Sequence, residues 1–101
     1  MLIVTGWLRF KPEDREDVLA GLVEVSGRSR QDPGCVDYWW AESVEEPDTF
    51  RFFECWESVE QFDAHRAQPY EDEFMQRYVS RVTAADAYSY DADNRRSAMG
   101  T

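Results

Sequence analysis

Two segments of this chain, Leu2–Phe10 (LIVTGWLRF) and Thr49–Trp56 (TFRFFECW), are β-branched or aromatic and apolar at both odd and even positions. A strand points successive side chains to opposite faces, so a strand that is apolar at both parities needs cover on both. The chain has 101 residues, enough for one domain. Its own helices can cover one face of a sheet. The second face needs another partner, and a second copy packed sheet against sheet is the simplest one.

The remaining segments supply the helices and the other strands. Lys11-Pro12 ends the first strand, and Pro12 suits a helix start. Glu13, Asp14, Glu16 and Asp17 place negative charge where the helix dipole favours it, and Val18, Leu19, Leu22, Val23 and Ser26 follow as one apolar stripe. Asp32-Pro33-Gly34 is a turn signal, and Cys35–Glu42 (CVDYWWAE) reads as the second strand. The acidic loop 43–48 makes strands two and three an antiparallel hairpin. Ser58 and Gln61 have capping-box spacing at the start of a short helix ending near Arg66, with Val59 and Phe62 on its buried side. Pro69 opens another helix, with Tyr70, Phe74, Tyr78 and Met75 on its stripe, and 82–90 (VTAADAYSY) reads as the last strand. Residues 1–90 therefore form one domain, and the polar residues 91–101 are expected to be a mobile tail. The order strand, helix, strand, strand, helix, strand is that of the ferredoxin-like α+β fold: a four-stranded antiparallel sheet with helices on one face.

Composition excludes several function classes. The net charge is −10, which repels nucleic acid and anionic membranes and favours solubility. No N-terminal basic and apolar pattern reads as a signal peptide, and no apolar run approaches the roughly 18 residues of a membrane span. Cys35 and Cys55 are expected as buried, reduced thiols of a cytoplasmic protein, and a single histidine gives no zinc spacing. Neither a phosphate loop nor a calcium loop is present, so no metal or cofactor is expected.

The pieces Asp32-Pro33-Gly34-Cys35, Phe53-Glu54-Cys55-Trp56-Glu57-Ser58, Phe62-Asp63-Ala64-His65 and Gln68-Pro69-Tyr70 resemble, in order and spacing, the antibiotic biosynthesis monooxygenase family. With the flanking elements the resemblance covers roughly residues 1–90. It implies a dimeric α+β barrel and, for many members, oxygenation of phenolic or quinol-like substrates by O2 without metal or flavin. Haem-degrading relatives carry a tryptophan where this chain has His65 and a histidine near the place of Met75. Anthrone oxygenases share Trp56 but have asparagine and tyrosine where this chain has Phe52 and Phe62. The quinol-oxidising and uncharacterised members, with histidine at the place of His65, look most similar.

His65 is the one side chain whose ordinary titration range lies near neutral pH. It reads either as a general base removing a phenolic proton or as a helix-end histidine on a carbonyl. Glu54 lies in an apolar strand, and reads either as an ion pair with Arg9, Arg51 or Arg81 or as a catalytic base. Trp56 reads as core anchor, pocket wall or both. A hairpin centred near Glu46 is expected to put Trp39 on the face of Phe52, Glu54 and Trp56, with Cys35 opposite Trp56. Trp39, Phe52, Trp56, Phe62 and Phe74 are then the expected pocket walls, with His65 and Glu54 the catalytic groups. The functional expectation is a cofactor-independent monooxygenase taking a small aromatic substrate and O2. Its alternatives are a polyketide-type cyclase or isomerase on the same fold, or a non-catalytic aromatic-binding or partner module.

Overall fold

The computed structural model describes residues 1–100; Thr101 lies outside the described residues. In chain order the elements are β1 (Leu2–Arg9), α1 (Arg15–Ser29), β2 (Cys35–Glu42), β3 (Thr49–Trp56), α2 (Val59–Arg66), α3 (Pro69–Tyr78) and β4 (Ala84–Asp91). Short 3-10 turns precede α1 at Pro12–Asp14 and follow α3 at Val79–Arg81. The strands form one sheet in the order β2-β3-β1-β4, each pair antiparallel, and the expected ferredoxin-like architecture is observed.

Local chemistry explains the boundaries. The Ser58 side chain accepts from Gln61 N at 3.2 Å and starts α2. Pro69 starts α3 after an extended Gln68. Gly34 has φ +83°, which the turn into β2 demands, and a Cβ there would lie 2.2 Å from the Gln61 side chain. Two helix stripes differ from expectation. On α1 the buried positions are Val18, Gly21, Leu22, Val25, Ser26 and Ser29, so Ser26 lies inward as expected while Val23 is 72% exposed. Spacings of four, three and four keep a row on one face, and Val23 sits a quarter-turn from Leu22. On α2, Val59 is half exposed, because the first residue after the cap lies at the rim of the sheet.

The hairpin of β2 and β3 sets which side chains meet. Glu42 pairs with Phe50, so the hairpin is centred on Glu46 as expected. Trp40 then pairs with Phe52, Tyr38 with Glu54 and Trp39 with Phe53. Residues directly opposite share a face, so Trp40 and Tyr38, not Trp39, accompany Phe52, Glu54 and Trp56 beneath the helices. The expected place of Trp39 is corrected by one residue: it lies on the far face, 40% exposed, stacked on Phe53 at 5.8 Å. A bulge at Val36 brings Cys35 opposite Trp56. Both cysteines are free; Cys55 is buried and Cys35 only half-buried, with burial pushing its thiol up to about 11.

Beneath the helices, Phe10, Val18, Leu22, Val25, Phe50, Phe74 and Tyr78 form the apolar core. The opposite sheet face carries Ile3, Trp7, Trp39, Phe53, Tyr88 and Tyr90 without helical cover. Tyr88 and Tyr90 are more than half exposed. The chain after β4 is tied to its start by reciprocal bonds between the backbones of Met1 and Ala92, each 2.8 Å. Among the described residues, no helix is long and apolar enough to cross a membrane.

Candidate active site

At the Trp56 end of the sheet the helix-covered face turns from hydrocarbon to ionisable groups. His65 lies in the last turn of α2 and is 1% exposed. Its ring stacks on Trp56 at 4.6 Å, and Tyr38 meets it edge-on at 5.9 Å. Phe62 and Tyr70 complete the aromatic surround at 6.4 and 6.0 Å. The expected alternative, a histidine satisfied by a carbonyl at a helix end, gives way to one satisfied by carboxylates.

Three carboxyl groups converge on this ring from three different parts of the chain. Asp32, in the turn between α1 and β2, accepts from His65 Nδ1 at 2.8 Å. The Tyr70 hydroxyl donates to the same Asp32 oxygen and lies 3.1 Å from Nδ1. Gln68 Nε2 donates to the other Asp32 oxygen at 3.3 Å. With Nδ1 held as donor, Nε2 is the nitrogen left for exchange. It is 3.8 Å from Glu54 Oε1 and 3.5 Å from Glu71 Oε2.

Glu54 is not paired with the arginines considered for it. Arg9 bonds Thr49 and Glu46, Arg81 bonds Asp14 and Asp17, and Arg51 lies opposite Trp7 on the uncovered face. Its donor is the Trp56 indole, Nε1 to Oε1, 3.1 Å. Three carboxylates around one imidazole would leave net negative charge in a buried space. Burial is the main force pushing the Glu54 carboxyl up to about 7; Glu71 adds to it, while the Trp56 bond and the His65 charge oppose it. Glu71 is raised as well, again mainly by burial. The phenols of Tyr38 and Tyr70 are pushed above the ordinary tyrosine range, first by burial. A carboxyl held near 7 is suited to taking up and releasing protons at neutral pH.

The aromatic residues expected as walls divide into three groups. Trp56, fully buried, and Phe62 pack on His65 itself. Phe52 and Phe74 flank Trp40, with ring centroids 4.8 and 6.3 Å away. Trp39 is on the other side of the sheet. A cavity of about 220 Å³ opens between α1 and the β2–β3 hairpin, walled by Leu19, Leu22, Trp40 and Phe50 with Arg30 at its edge. A smaller one, about 60 Å³, lies between α1 and α3 against Tyr70 and Phe74. Tyr38 links the larger cavity to the ionisable cluster: its hydroxyl accepts from Trp40 Nε1 at 3.1 Å, and its ring borders His65.

Asp32, Tyr70 and Glu71 were missed as site residues. The first two stand inside the motif pieces at either end of the family resemblance, Asp32 as a turn residue and Tyr70 on the apolar stripe of a helix. Glu71 precedes Phe74 by three and Tyr78 by seven, which places it on the buried stripe of α3.

The family model for antibiotic biosynthesis monooxygenases matches residues 1–80 of the chain. The chain belongs to the antibiotic biosynthesis monooxygenase family. The match contains the whole His65 cluster and ends before β4. An uncharacterised protein of Synechocystis is 33% identical over 76 residues, which are 75% of this chain and 52% of that protein. The chain thus spans about half the length of that curated relative. Among solved structures, a Deinococcus radiodurans protein described as a candidate antibiotic biosynthesis monooxygenase superposes with a TM-score of 0.89 at 26% identity, over 99% of this chain and all of that one. A Mycobacterium tuberculosis protein shares the fold at TM-score 0.85 and 21% identity, over 95% of this chain and 98% of its own.

Proposed function

We propose that this chain is a cytoplasmic monooxygenase that oxidises a small phenolic or quinol-type aromatic with O2, using no metal or flavin. The observation that carries this reading is the buried histidine among three carboxyls, of which Glu54 is held near neutrality, in a family of monooxygenases. The substrate ring is assigned to the cavity walled by Trp40 and Phe50. Its volume of about 220 Å³ exceeds the roughly 150 Å³ that holds a benzene ring. Phe52, Phe74, Trp56 and Phe62 form the dry aromatic packing that joins this space to the cluster. Glu54 and His65 receive the phenolic proton by way of Tyr38, whose hydroxyl bonds Trp40 of the cavity wall and whose ring borders His65, and Asp32 fixes the imidazole so that Nε2 faces Glu54. The resulting phenolate gives an electron to O2 more readily than the phenol does. Superoxide and the substrate radical then combine into a hydroperoxide, which regains a proton and loses water to leave a new carbonyl, so one atom of O2 enters the product and the other leaves as water; the protein supplies orientation and exclusion of bulk water.

The same cluster supports proton transfer without oxygen, as a cyclase or isomerase would use it. Oxygen uptake by metal-free and flavin-free protein against quinols, anthrones and naphthols separates the two. Uptake that falls at least tenfold in both His65→Gln and Glu54→Gln supports the oxygenase. Turnover that persists under nitrogen overturns it in favour of the isomerase. Assembly is part of the proposal: the aromatic sheet face without helical cover is assigned to a second copy, packed sheet to sheet. A monomer mass by light scattering at micromolar concentration would reject that assignment.

A further inference from the structure

The proton-accepting role given to Glu54 and His65 leaves Glu71 unused. Glu71 sits in the first turn of α3, where the helix dipole favours negative charge, and is 6% exposed. Its Oε2 is a buried oxygen with no hydrogen-bond partner, although it reaches to 3.5 Å of His65 Nε2. Glu54 Oε1 approaches the same nitrogen from β3 at 3.8 Å. Nδ1 is committed to Asp32. An unsatisfied buried carboxylate oxygen is costly, and here it costs least when a proton lies between it and Nε2.

We propose that Glu71 is a second proton-holding carboxyl of this site, and that His65 Nε2 is the bridge through which Glu54 and Glu71 share one proton. The inference rests on the acid–base reading of the cluster and is independent of the oxygen chemistry. Glu71 touches His65 rather than the substrate, so it is a positioning residue that stores charge. The proton released by the substrate reaches the Glu54 carboxylate, and passes from Glu54 to Nε2 and from Nε2 to Glu71. The Nδ1 proton stays on the ring against Asp32 throughout. The substrate oxygen gains one negative charge and Glu71 loses one. No electron changes hands and no co-reactant is needed. Glu54 is thereby emptied while the substrate anion is still bound.

All the charged and titratable neighbours of the ring enter this balance. They are Asp32 from the turn before β2, Tyr38 from β2, Glu54 from β3, Arg66 from α2 itself, and Tyr70 and Glu71 from α3. Arg66 favours the ionised form of both glutamates, whereas Glu71 disfavours that of Glu54.

The chain has one histidine, so its imidazole gives one set of nitrogen signals. The test is an NMR titration of the full chain, labelled at histidine nitrogens and glutamate carboxyl carbons, from about pH 4 to pH 9. Sharing predicts that the Glu54, Glu71 and Nε2 signals move together through the same two steps. In Glu71→Gln the second step disappears, and the Glu54 midpoint falls below about 7 as the repulsion from Glu71 is removed, burial still holding it above its ordinary value. Glu71→Asp retains both steps. Independent single-step curves with Nε2 unmoved would overturn the proposal, as would a Glu54 midpoint unchanged in Glu71→Gln. If Glu71→Gln fails to fold, the wild-type curves alone decide. No substrate is involved, so a failed oxygenase assay and a failed proton-sharing result remain distinguishable.

Discussion

The face of the sheet beneath the helices is divided between two kinds of interior. Around Phe50, the β-strands and α1 enclose hydrocarbon: Phe10, Val18, Leu22 and Val25, closed by Phe74 and Tyr78. Around Trp56, at the other end of β3, the same face encloses Asp32, Glu54, His65 and Glu71 with their aromatic neighbours. The first region is held by volume and is indifferent to pH. The second is held by donors and acceptors, and one of its oxygens lacks a partner. Stability is concentrated in the first region, whereas the second accepts an electrostatic cost in return for groups that exchange protons near neutrality.

This contrast can be broken most forcefully in the hydrocarbon half. Phe50 is 1% exposed. Phe50→Ala should lose about 3–5 kcal/mol of unfolding free energy, equally at acid and neutral pH, in urea denaturation. A loss that varied strongly with pH would mean that the two regions are not separate.

In the other half the expected response depends on pH. The folded Glu54 carboxyl titrates near 7, above its ordinary 4.5. The folded state therefore keeps a proton that the unfolded chain releases, a contribution complete below 4.5 and lost as pH rises through 7. Glu54→Gln removes this dependence. Its stability relative to wild type should improve by roughly 3 kcal/mol between acid and mildly alkaline pH, while proton-transfer activity is lost. Paired denaturation curves at the two extremes check it, and a constant difference would show that Glu54 is not raised.

A smaller effect is expected at the indole that supports Glu54. Trp56→Phe keeps the aromatic packing on His65 and deletes the 3.1 Å donor to Glu54. The variant should lose about 1–2 kcal/mol above neutral pH and less in acid, with the Glu54 midpoint moving up, read by the carboxyl carbon signal. Smallest of all, Val23→Ser on the outer side of α1 should change stability by less than about 0.5 kcal/mol in thermal unfolding. The adjacent inward position Val25 should cost several times more as alanine.

Much of the scaffold was legible because it depends on neighbours in sequence. The bounds of β2 and β3, the Ser58 cap, the Pro69 start and the Asp32-Pro33-Gly34 turn all follow from local backbone chemistry. The bounds of β1 and β4 shifted by one or two residues, at strand ends where side-chain pattern no longer decides. The candidate site was legible in part. His65, Glu54, Trp56 and Phe62 do meet, but Asp32 was legible only as a turn residue and Tyr70 only on a helix stripe, and no local pattern singled out Glu71. Trp39 lies on the far face because a hairpin centred on Glu46 pairs it with Phe53, one residue from the expected Phe52.

The sequence by itself determined the order of strands and helices, the β2–β3 hairpin with its acidic loop and the aromatic excess of both sheet faces. These depend on period, capping and turn residues, which act within a few positions of one another. Only the tertiary structure decided that Trp40 rather than Trp39 faces the helices, and that carboxyls from a turn, a strand and a helix close on one imidazole. The physical reason is that strand parity inverts with a single-residue shift, and a buried charge acquires its properties from groups up to 39 positions apart in sequence that meet only when the chain closes.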